Sequence, residues 1–394
     1  MKQKYLKFLR VIISLSFFLL TDFLFIDLKN TLSFQFTGSL LFFQFIPSLL
    51  KFLRLLSFTA VGFFIVIILT VMFGRVYCSS VCPLGTLQDI ISFFSRKINK
   101  KKKFKYTKAH SLLRHGILVL TIIFFISGSI LFINLLDPYS NFGRISTNLF
   151  RPLYILANNL FSKGFEWFGS YAFSPFPYKK VNAISILFPL TFLIVILWLA
   201  ASKGRLYCNT ICPVGSLLGF ISKISFFKIQ ISHEACNSCS LCASVCKSSC
   251  INPTEKNVDM SRCVGCFNCL TVCKKNALKY NFASSLSKET EHSQGRRKVL
   301  LSVAGLSLAK VLLAQESITK FKTGLSNTGS KLPISPPGSK GLHHFSSTCT
   351  ACHLCVSACP TQVLQPSLFE YGLAGMLQPR MDFHTNYCNY KCTA

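Results

Sequence analysis

Four apolar stretches constrain this chain more than anything else in it: Phe8–Leu28, Leu55–Phe73, His115–Leu136 and Ile184–Ala201. About twenty apolar residues cross the ~30 Å hydrocarbon layer as a helix. Backbone groups in lipid must be satisfied within their own segment, so such stretches read as helical spans. Leu40–Leu50 is shorter and holds Pro47, which predicts an interfacial or re-entrant piece. No small-residue cleavage site follows the first stretch, so it reads as an anchor and not a removed signal peptide. The composition agrees: 51% hydrophobic and 14% charged residues, a mean hydropathy of +0.45 and 39 Phe gathered in runs exclude an ordinary soluble domain.

The formal charge of +30 would point to nucleic acid in a soluble protein. Here Lys and Arg flank the apolar stretches, where they set topology and meet anionic lipid, so the partner is the lipid membrane and not nucleic acid. Lys2, Lys4, Lys7 and Arg10 precede the first span, and Arg96 to Arg114 carries a dense basic run between the second and third. Both segments are expected on the cytoplasmic side, with Asp137–Ala183 outside.

An internal repeat follows the even-numbered spans. Gly74-Arg75-Val76-Tyr77-Cys78-Ser79-Ser80-Val81-Cys82-Pro83-Leu84-Gly85 returns as Gly204-Arg205-Leu206-Tyr207-Cys208-Asn209-Thr210-Ile211-Cys212-Pro213-Val214-Gly215. Both copies leave a span on the same side, which predicts parallel repeats about an axis along the membrane normal. In each copy two cysteines four apart share one face of a helical turn, and the proline keeps the span from continuing. Together Cys78, Cys82, Cys208 and Cys212 offer four thiolates at the membrane edge, one iron–sulfur cluster's worth. Redox-active dithiols and inert buried thiols are the alternatives.

Nineteen cysteines could mean disulfides, but disulfide frameworks belong to small secreted domains. The densest string here is Cys236-x2-Cys239-x2-Cys242-x3-Cys246, followed by Cys263-x2-Cys266-x2-Cys269-x3-Cys273. Three close thiolates cap one face of a cubane, and the fourth cysteine of each string crosses to the neighbouring cluster. Cys236, Cys239, Cys242 and Cys273 are thus assigned to one [4Fe–4S] cluster, and Cys263, Cys266, Cys269 and Cys246 to the other. Structural zinc favours paired C-x2-C elements over a triple string. Lys247 and Lys274 replace the proline usual after the fourth cysteine, and their charge would raise the cluster potentials. Cys250 has no slot in this scheme and reads as packing beside a cluster.

Taken together, the four spans, both Gly-Arg-x-Tyr-Cys-x3-Cys-Pro-x-Gly copies and the tandem strings resemble the membrane-bound ferredoxin-type quinol dehydrogenases of periplasmic nitrate reduction (NapH-like). NosR-like proteins are similar in the membrane core. The resemblance covers about Phe8 to Leu278. It implies a multi-pass protein of a bacterial cytoplasmic (inner) membrane, a quinol as electron source and a redox partner protein that accepts electrons.

The fold class expected is an α-helical membrane protein with four transmembrane helices and α+β ferredoxin-like [4Fe–4S] domains. Residues 1–222 form the membrane core and 223–283 a cytoplasmic two-cluster ferredoxin. Residues 284–341 form a linker that opens with Arg296-Arg297 and a short apolar helix, Val299–Ala314. That pair resembles a twin-arginine export signal, with a surface or amphipathic helix as the alternative. Residues 342–394 resemble a second, incomplete ferredoxin. Its string is Cys349-x2-Cys352-x2-Cys355-x3-Cys359-Pro360, and Cys388 or Cys392 could complete a ligand set.

Quinol oxidation needs proton acceptors near a membrane edge. Asp137, Tyr139, Arg144, Arg151 and His115 are the candidates, although a carboxylate past a helix end is more often a cap. No Gly-rich nucleotide loop, catalytic triad or paired carboxylate is present. The reading is an iron–sulfur relay between the quinone pool and a redox partner, of quinol dehydrogenase type if it is an enzyme. An electron-donating assembly or maturation factor that reduces a metal is the alternative.

Overall fold

The structure is a computed structural model that describes residues 2–28, 31–55, 61–98, 103–169, 174–176, 183–282, 334, 341–368, 370–371, 375–384 and 386–389. The linker with Arg296-Arg297 and Val299–Ala314, and Cys392, lie outside the described residues.

Each apolar stretch folds as a helix where its backbone can close its own hydrogen bonds. The first is α1 (Lys2–Ile26). Next come α2 (Phe34–Phe42) and α3 (Phe45–Leu55), whose apolar parts bend by 99° at the break between them. Pro47 sits in the first turn of α3, where its missing N–H leaves no bond unmade. The second expected span contributes α4 (Gly62–Phe73), which Gly74 ends in a left-handed turn at φ +80°. The single turn α5 (Tyr77–Ser80) and the longer α6 (Pro83–Ile98) follow.

The third expected span is broken. Helix α7 (Ser111–Ile126) stops at Ser127-Gly128-Ser129, where Gly128 takes φ +89°, and α8 (Leu131–Leu136) resumes beyond it. Asp137 then caps α9 (Pro138–Ile145), accepting a 2.8 Å bond from the Ser140 N–H. A π-turn (Ser146–Phe150) joins α9 to α10 (Arg151–Trp167). The fourth span is α11 (Ala183–Lys203), ended by Gly204 at φ +69°, and α12 (Leu206–Thr210) and α13 (Pro213–Ser222) repeat the pattern of α5 and α6.

Among the described residues two helices, Tyr5–Ile26 and Ser185–Lys203, are long and apolar enough to cross a membrane, and three if the bent α2–α3 pair counts as one span. The other two expected spans do not reach that length among the described residues. Gly128 interrupts one, and residues 56–60, just before α4, are not described.

Beyond α13, the strand β1 (Phe227–Ile231) pairs antiparallel with β4 (Leu278–Phe282), and β2 (Ile251–Asn252) pairs with β3 (Asn257–Val258). The one-turn helices α14 (Leu241–Ser244) and α15 (Asn268–Val272) lie between them. The last region holds two short helices, Leu342–Ser346 and Leu354–Ala358, and a hairpin of Leu364–Pro366 with Pro379–Met381.

Two cores hold these parts. One is built on Ile229, Cys246, Cys250, Cys263, Phe267, Cys269 and Leu278, with Leu6 of α1 packed against it. The larger one runs without a break from Val264 and Cys266 through Cys78, Cys82, Cys208 and Cys212 to Phe25, Tyr139 and Phe142, with Cys352 and Leu354 packed at its far end. Between apolar helices in lipid such contact stabilises by close packing and not by transfer from water.

Candidate metal centres

The duplicated motif is explained by what each copy does to the other. The Arg75 guanidinium donates to the Cys208 carbonyl at 2.9 Å, and the Arg205 guanidinium donates to the Cys78 carbonyl. Both arginines are fully buried. A Cβ on Gly85 would strike the Cys78 carbonyl and crowd Arg205 Nη1 at 3.1 Å, and one on Gly215 would strike the Cys208 carbonyl and meet Arg75 Nη2 at 2.8 Å. The motif glycines are therefore clearance for the cysteine carbonyls first, and for the crossed arginines that bond them second. Tyr77 donates to Gln44 Oε1 at 3.2 Å and accepts from the Phe45 N–H, at the bend between α2 and α3. Tyr207 donates to the Leu136 carbonyl at 2.9 Å, at the end of α8.

Cys78, Cys82, Cys208 and Cys212 are all buried and share one core. Their placement corrects one expectation. The two cysteines of a copy do not lie on one face of a single helix, because the chain breaks between them. Cys208 lies in α12, whereas Cys212 is the extended N-cap of α13, its Sγ accepting from the Gly215 N–H at 3.3 Å. Proline opens the second helix at its first position, where its fixed φ suits a helix start. Burial pushes the Cys82 and Cys212 thiols well up, and neighbouring thiols add to it. Burial likewise raises Cys208, against the opposing Arg205 charge. Gln88, absent from the sequence reading, places Nε2 3.4 Å from Cys208 Sγ.

The three ferredoxin-like strings share one backbone device. The residues flanking the middle cysteine are left-handed in every case: Ser238 and Ser240 around Cys239, Gly265 and Phe267 around Cys266, Ala351 and His353 around Cys352. Non-glycine residues hold such angles at a cost of roughly 1–3 kcal/mol each, so the conformation needs a reason. Left-handed turns of this kind make concave nests of backbone N–H groups that suit anions and iron–sulfur sites. The donor set is all thiol, as a cubane requires. Among the described residues no three His, Cys, Asp or Glu side chains converge on a point that would hold a single metal ion. The all-thiol donor sets and the nests beside them fit iron–sulfur clusters.

Cys246, Cys263, Cys266 and Cys269 line one cavity, together with Cys250. The other first-domain set is more open: Cys239 is exposed, and Cys236, Cys242 and Cys273 are partly buried. The cavity set is the one against the membrane core. Cys266 belongs to the large core with the membrane cysteines, Arg75 donates to the Ser261 carbonyl at 3.1 Å, and the Arg205 N–H donates to the Lys247 carbonyl at 2.9 Å. These contacts place the Cys246, Cys263, Cys266 and Cys269 set, and not the open one, next to the membrane core.

Lys247 does not stand free beside a cluster. Its Nζ is 3.2 Å from Asp89 Oδ2, which also takes Arg10 Nη2 at 2.9 Å, while Asp89 Oδ1 takes Arg205 Nε at 2.8 Å. Burial alone would raise the Asp89 carboxyl, but Arg205, Lys247 and Arg10 outweigh it and hold it well below the usual carboxylate range.

At the other end of the core, the C-terminal string is seated on α9 and the π-turn. The buried Arg144 guanidinium donates from Nε to the Ala351 carbonyl at 2.9 Å, from Nη1 to Asn141 Oδ1 and from Nη2 to the Asn134 carbonyl. Gly143 lets the Cys352 carbonyl approach to where a Cβ would sit within 2.6 Å of it. Burial, then the Arg144 charge, push His353 down to about 3. The neutral ring accepts from Asn148 Nδ2 at 3.0 Å and donates to the Leu377 carbonyl at 3.1 Å. Cys349, Cys352 and Cys355 lie near one another, and burial raises all three thiols, Cys349 to about 12. Cys359 Sγ lies 3.7 Å from Thr361 Oγ1, and Cys388 is partly buried.

Of the proton-handling candidates, Asp137, Tyr139, Arg144 and Arg151 are buried at this end of the core. His115 is exposed one residue past Arg114, which binds Ser261 at the opposite end, so it does not join them.

Family models of known proteins cover the regions of the duplicated motif and of the C-terminal string. A 4Fe-4S binding domain matches residues 56–101 and 185–232, the two halves that carry the duplicated motif, and a second matches residues 344–365 around the C-terminal string. The chain is 26% identical over 57% of its length to the uncharacterized protein MJ0749 of Methanocaldococcus jannaschii, covering 72% of that protein. It is 26% identical over 48% of its length to the ferredoxin-type protein NapH of Haemophilus influenzae, covering 54% of it. It is 23% identical over 44% of its length to the methylamine utilization ferredoxin-type protein MauN of Paracoccus denitrificans, covering 48% of it. The chain thus spans about half the length of these last two relatives. No solved structure matches. With its 4Fe-4S binding domains and apolar helices long enough to cross a membrane, the chain is a ferredoxin-type iron–sulfur electron-transfer protein, similar to NapH and MauN.

Proposed function

We propose that the chain relays electrons through its membrane core between the quinone pool and a redox partner protein, with four transmembrane segments holding the core. Bound clusters would supply one-electron carriers at the cysteine groups. The observation that carries the reading is the single continuous core joining Cys266, the four motif cysteines and Cys352. The protein's own part is to fix these groups and to keep water from between them. Crossed Arg75 and Arg205 hold the two motif copies together, the Asp89 ion pairs hold Lys247 and with it the Cys246 loop, and Arg144 holds the C-terminal string.

The ligand sets follow the cysteine groups. Cys246, Cys263, Cys266 and Cys269 would form the cluster nearest the core, Cys236, Cys239, Cys242 and Cys273 the outer one, and Cys78, Cys82, Cys208 and Cys212 the one within. Cys349, Cys352 and Cys355 would start another, with its fourth ligand among Cys359, Cys388 and Cys392.

The test is anaerobic reduction of the purified full chain in lipid vesicles by a short-chain quinol. The visible iron–sulfur absorbance is expected to bleach in the wild type and to bleach far more slowly in Cys78→Ser and Cys208→Ser. Clusters untouched by quinol, yet reduced by dithionite and then reoxidised by added copper(II) ions, which take one electron each to become copper(I), would replace the relay with the assembly-factor reading.

A further inference from the structure

We propose that the cleft between the start of α7, the end of α11 and the first ferredoxin-like unit binds the phosphate group of an anionic phospholipid. This rests on the reading that the chain is embedded in a membrane, and on no cluster assignment.

The cleft takes its exposed rim from Lys108 and His110, just before α7, and from Lys203, the last residue of α11. Its floor includes Arg114, Ser248 and Arg262, all buried. No Asp or Glu lines it. Lys108 and Lys203 make no ion pair among the described residues. Arg262 is held by Asp259 at 2.7 Å, whereas the Arg114 guanidinium donates to neutral groups, the Ser261 and Ser216 carbonyls and the Ser261 hydroxyl. The charge left over is positive.

Two further observations point to an anion there. Arg114 Nε and Ser248 Oγ are buried with no hydrogen-bond partner among the described residues. Buried polar atoms are nearly always paired, so two orphans in residues of one cleft call for a ligand. Helix α7 also starts at this cleft with His110 as its N-cap and no side chain capping it, which leaves its first N–H groups and its positive dipole end open to an anion. The floor has room for roughly one or two water-sized groups, so the ligand reaches in with an oxygen and keeps its body at the rim. A lipid answers that description better than free phosphate. Leu112 and Leu113, between His110 and Arg114, are exposed apolar side chains along which acyl chains would lie. Basic pockets between helices at the membrane edge bind anionic headgroups in this way. The cleft is also a seam, since Arg114 bonds Ser261 and Arg262 Nη1 donates to the Thr107 carbonyl at 2.7 Å. A bound headgroup would tie the ferredoxin-like unit to the membrane surface.

The experiment uses the full chain, purified anaerobically in a neutral detergent, with phosphatidylglycerol, phosphatidylcholine or inorganic phosphate added. Native mass spectrometry counts the lipid retained, and iron per chain checks that each variant is assembled. The wild type is expected to hold one phosphatidylglycerol tightly, to release phosphatidylcholine, and to keep its lipid against inorganic phosphate. Lys108→Gln combined with Lys203→Gln alters only exposed side chains and should leave the iron content unchanged. Binding should weaken about thirtyfold, at roughly fivefold for each lysine lost near a lipid surface. Lys163→Gln combined with Lys279→Gln removes two exposed charges elsewhere and should bind as the wild type does. Equal retention of phosphatidylcholine would overturn the proposal, as would unchanged binding in the first double variant or equal weakening in both. Displacement by inorganic phosphate would overturn the lipid in favour of a free anion. A chain that stays monodisperse without detergent would instead remove the membrane reading on which the site depends.

Discussion

Gly85 and Gly215 show how much of a motif can be visible in a sequence without its reason. Both stand out as repeated positions, yet neither has a positive φ. The demand comes from the carbonyl of each copy's first cysteine, Cys78 O over Gly85 and Cys208 O over Gly215, with Arg205 Nη1 at 3.1 Å and Arg75 Nη2 at 2.8 Å from the same Cβ positions. Gly85→Ala would press a methyl group on the Cys78 carbonyl and displace the Arg205 guanidinium that bonds it. Overpacking of this kind costs about 1–3 kcal/mol, and here it falls on the cysteine-bearing turn itself. The purified variant is expected to lose iron from the motif cysteines while the first-domain strings keep theirs, read as a drop of about four irons per chain. Gly215→Ala should do the same through Arg75. Undiminished iron in both variants would mean that the crossed arginines are not needed for the site.

Among the elements, α6 joins the membrane core to the first ferredoxin-like unit, through one carboxylate. Asp89 is one of only 13 acidic residues in the chain, and it lies in an amphipathic helix that opens at Pro83 and carries Arg96 and Lys97 in its last turn. The sequence shows the position but not its role, because its partners, Arg10, Arg205 and Lys247, come from three distant segments. Asp89→Asn would leave three buried cations around a neutral amide. Removing one partner of a buried ion pair costs about 3–5 kcal/mol, so thermal unfolding in detergent should begin markedly earlier. The pH dependence has a definite sign. The folded carboxyl is depressed, so its stabilisation is complete above the ordinary carboxylate range and fades only as pH falls below that range. Protease protection of the Lys247 loop should thus persist from neutral to mildly acidic pH in the wild type and be lost at all pH values in Asp89→Asn. The interrupted span follows the opposite logic. Ser127-Gly128-Ser129 was legible as a weak point inside an apolar stretch, but hydropathy averages over it and sees one span where the backbone makes two helices.

At the scale of the whole molecule α1 serves as a ruler. Leu6 packs on the core that holds Cys246, Cys263 and Cys269, whereas Phe25 lies against Gly143 beside Cys352. These positions are nineteen residues apart, about 28 Å at ~1.5 Å per residue, close to the thickness of a bilayer's hydrocarbon. The cysteine strings were plain in the sequence, but their order along this axis was not, because order depends on docking contacts made by Arg75, Arg205 and Arg144. If α1 spans the membrane, the two iron–sulfur regions face opposite sides, and one polypeptide carries a path across. Epitope tags inserted after Lys103 and after Asn386, in sealed vesicles of known orientation, should be cut by external protease from opposite vesicle populations. The seat of the C-terminal string can then be tested on the same vesicles. Arg144 is fully buried with three acceptors and lies over the Phe188 ring at 5.3 Å, and hydrogen bonds to a charged group are worth about 1.5–3 kcal/mol each. Arg144→Ala should therefore unseat the string without touching the motif cysteines. Reduction of the first-domain clusters would continue at the wild-type rate, while electrons would no longer reach an impermeant acceptor on the side of Cys352. Tags cut from the same population would end the transmembrane path, and acceptor reduction unchanged in Arg144→Ala would mean that electrons leave the core by a route other than the C-terminal string.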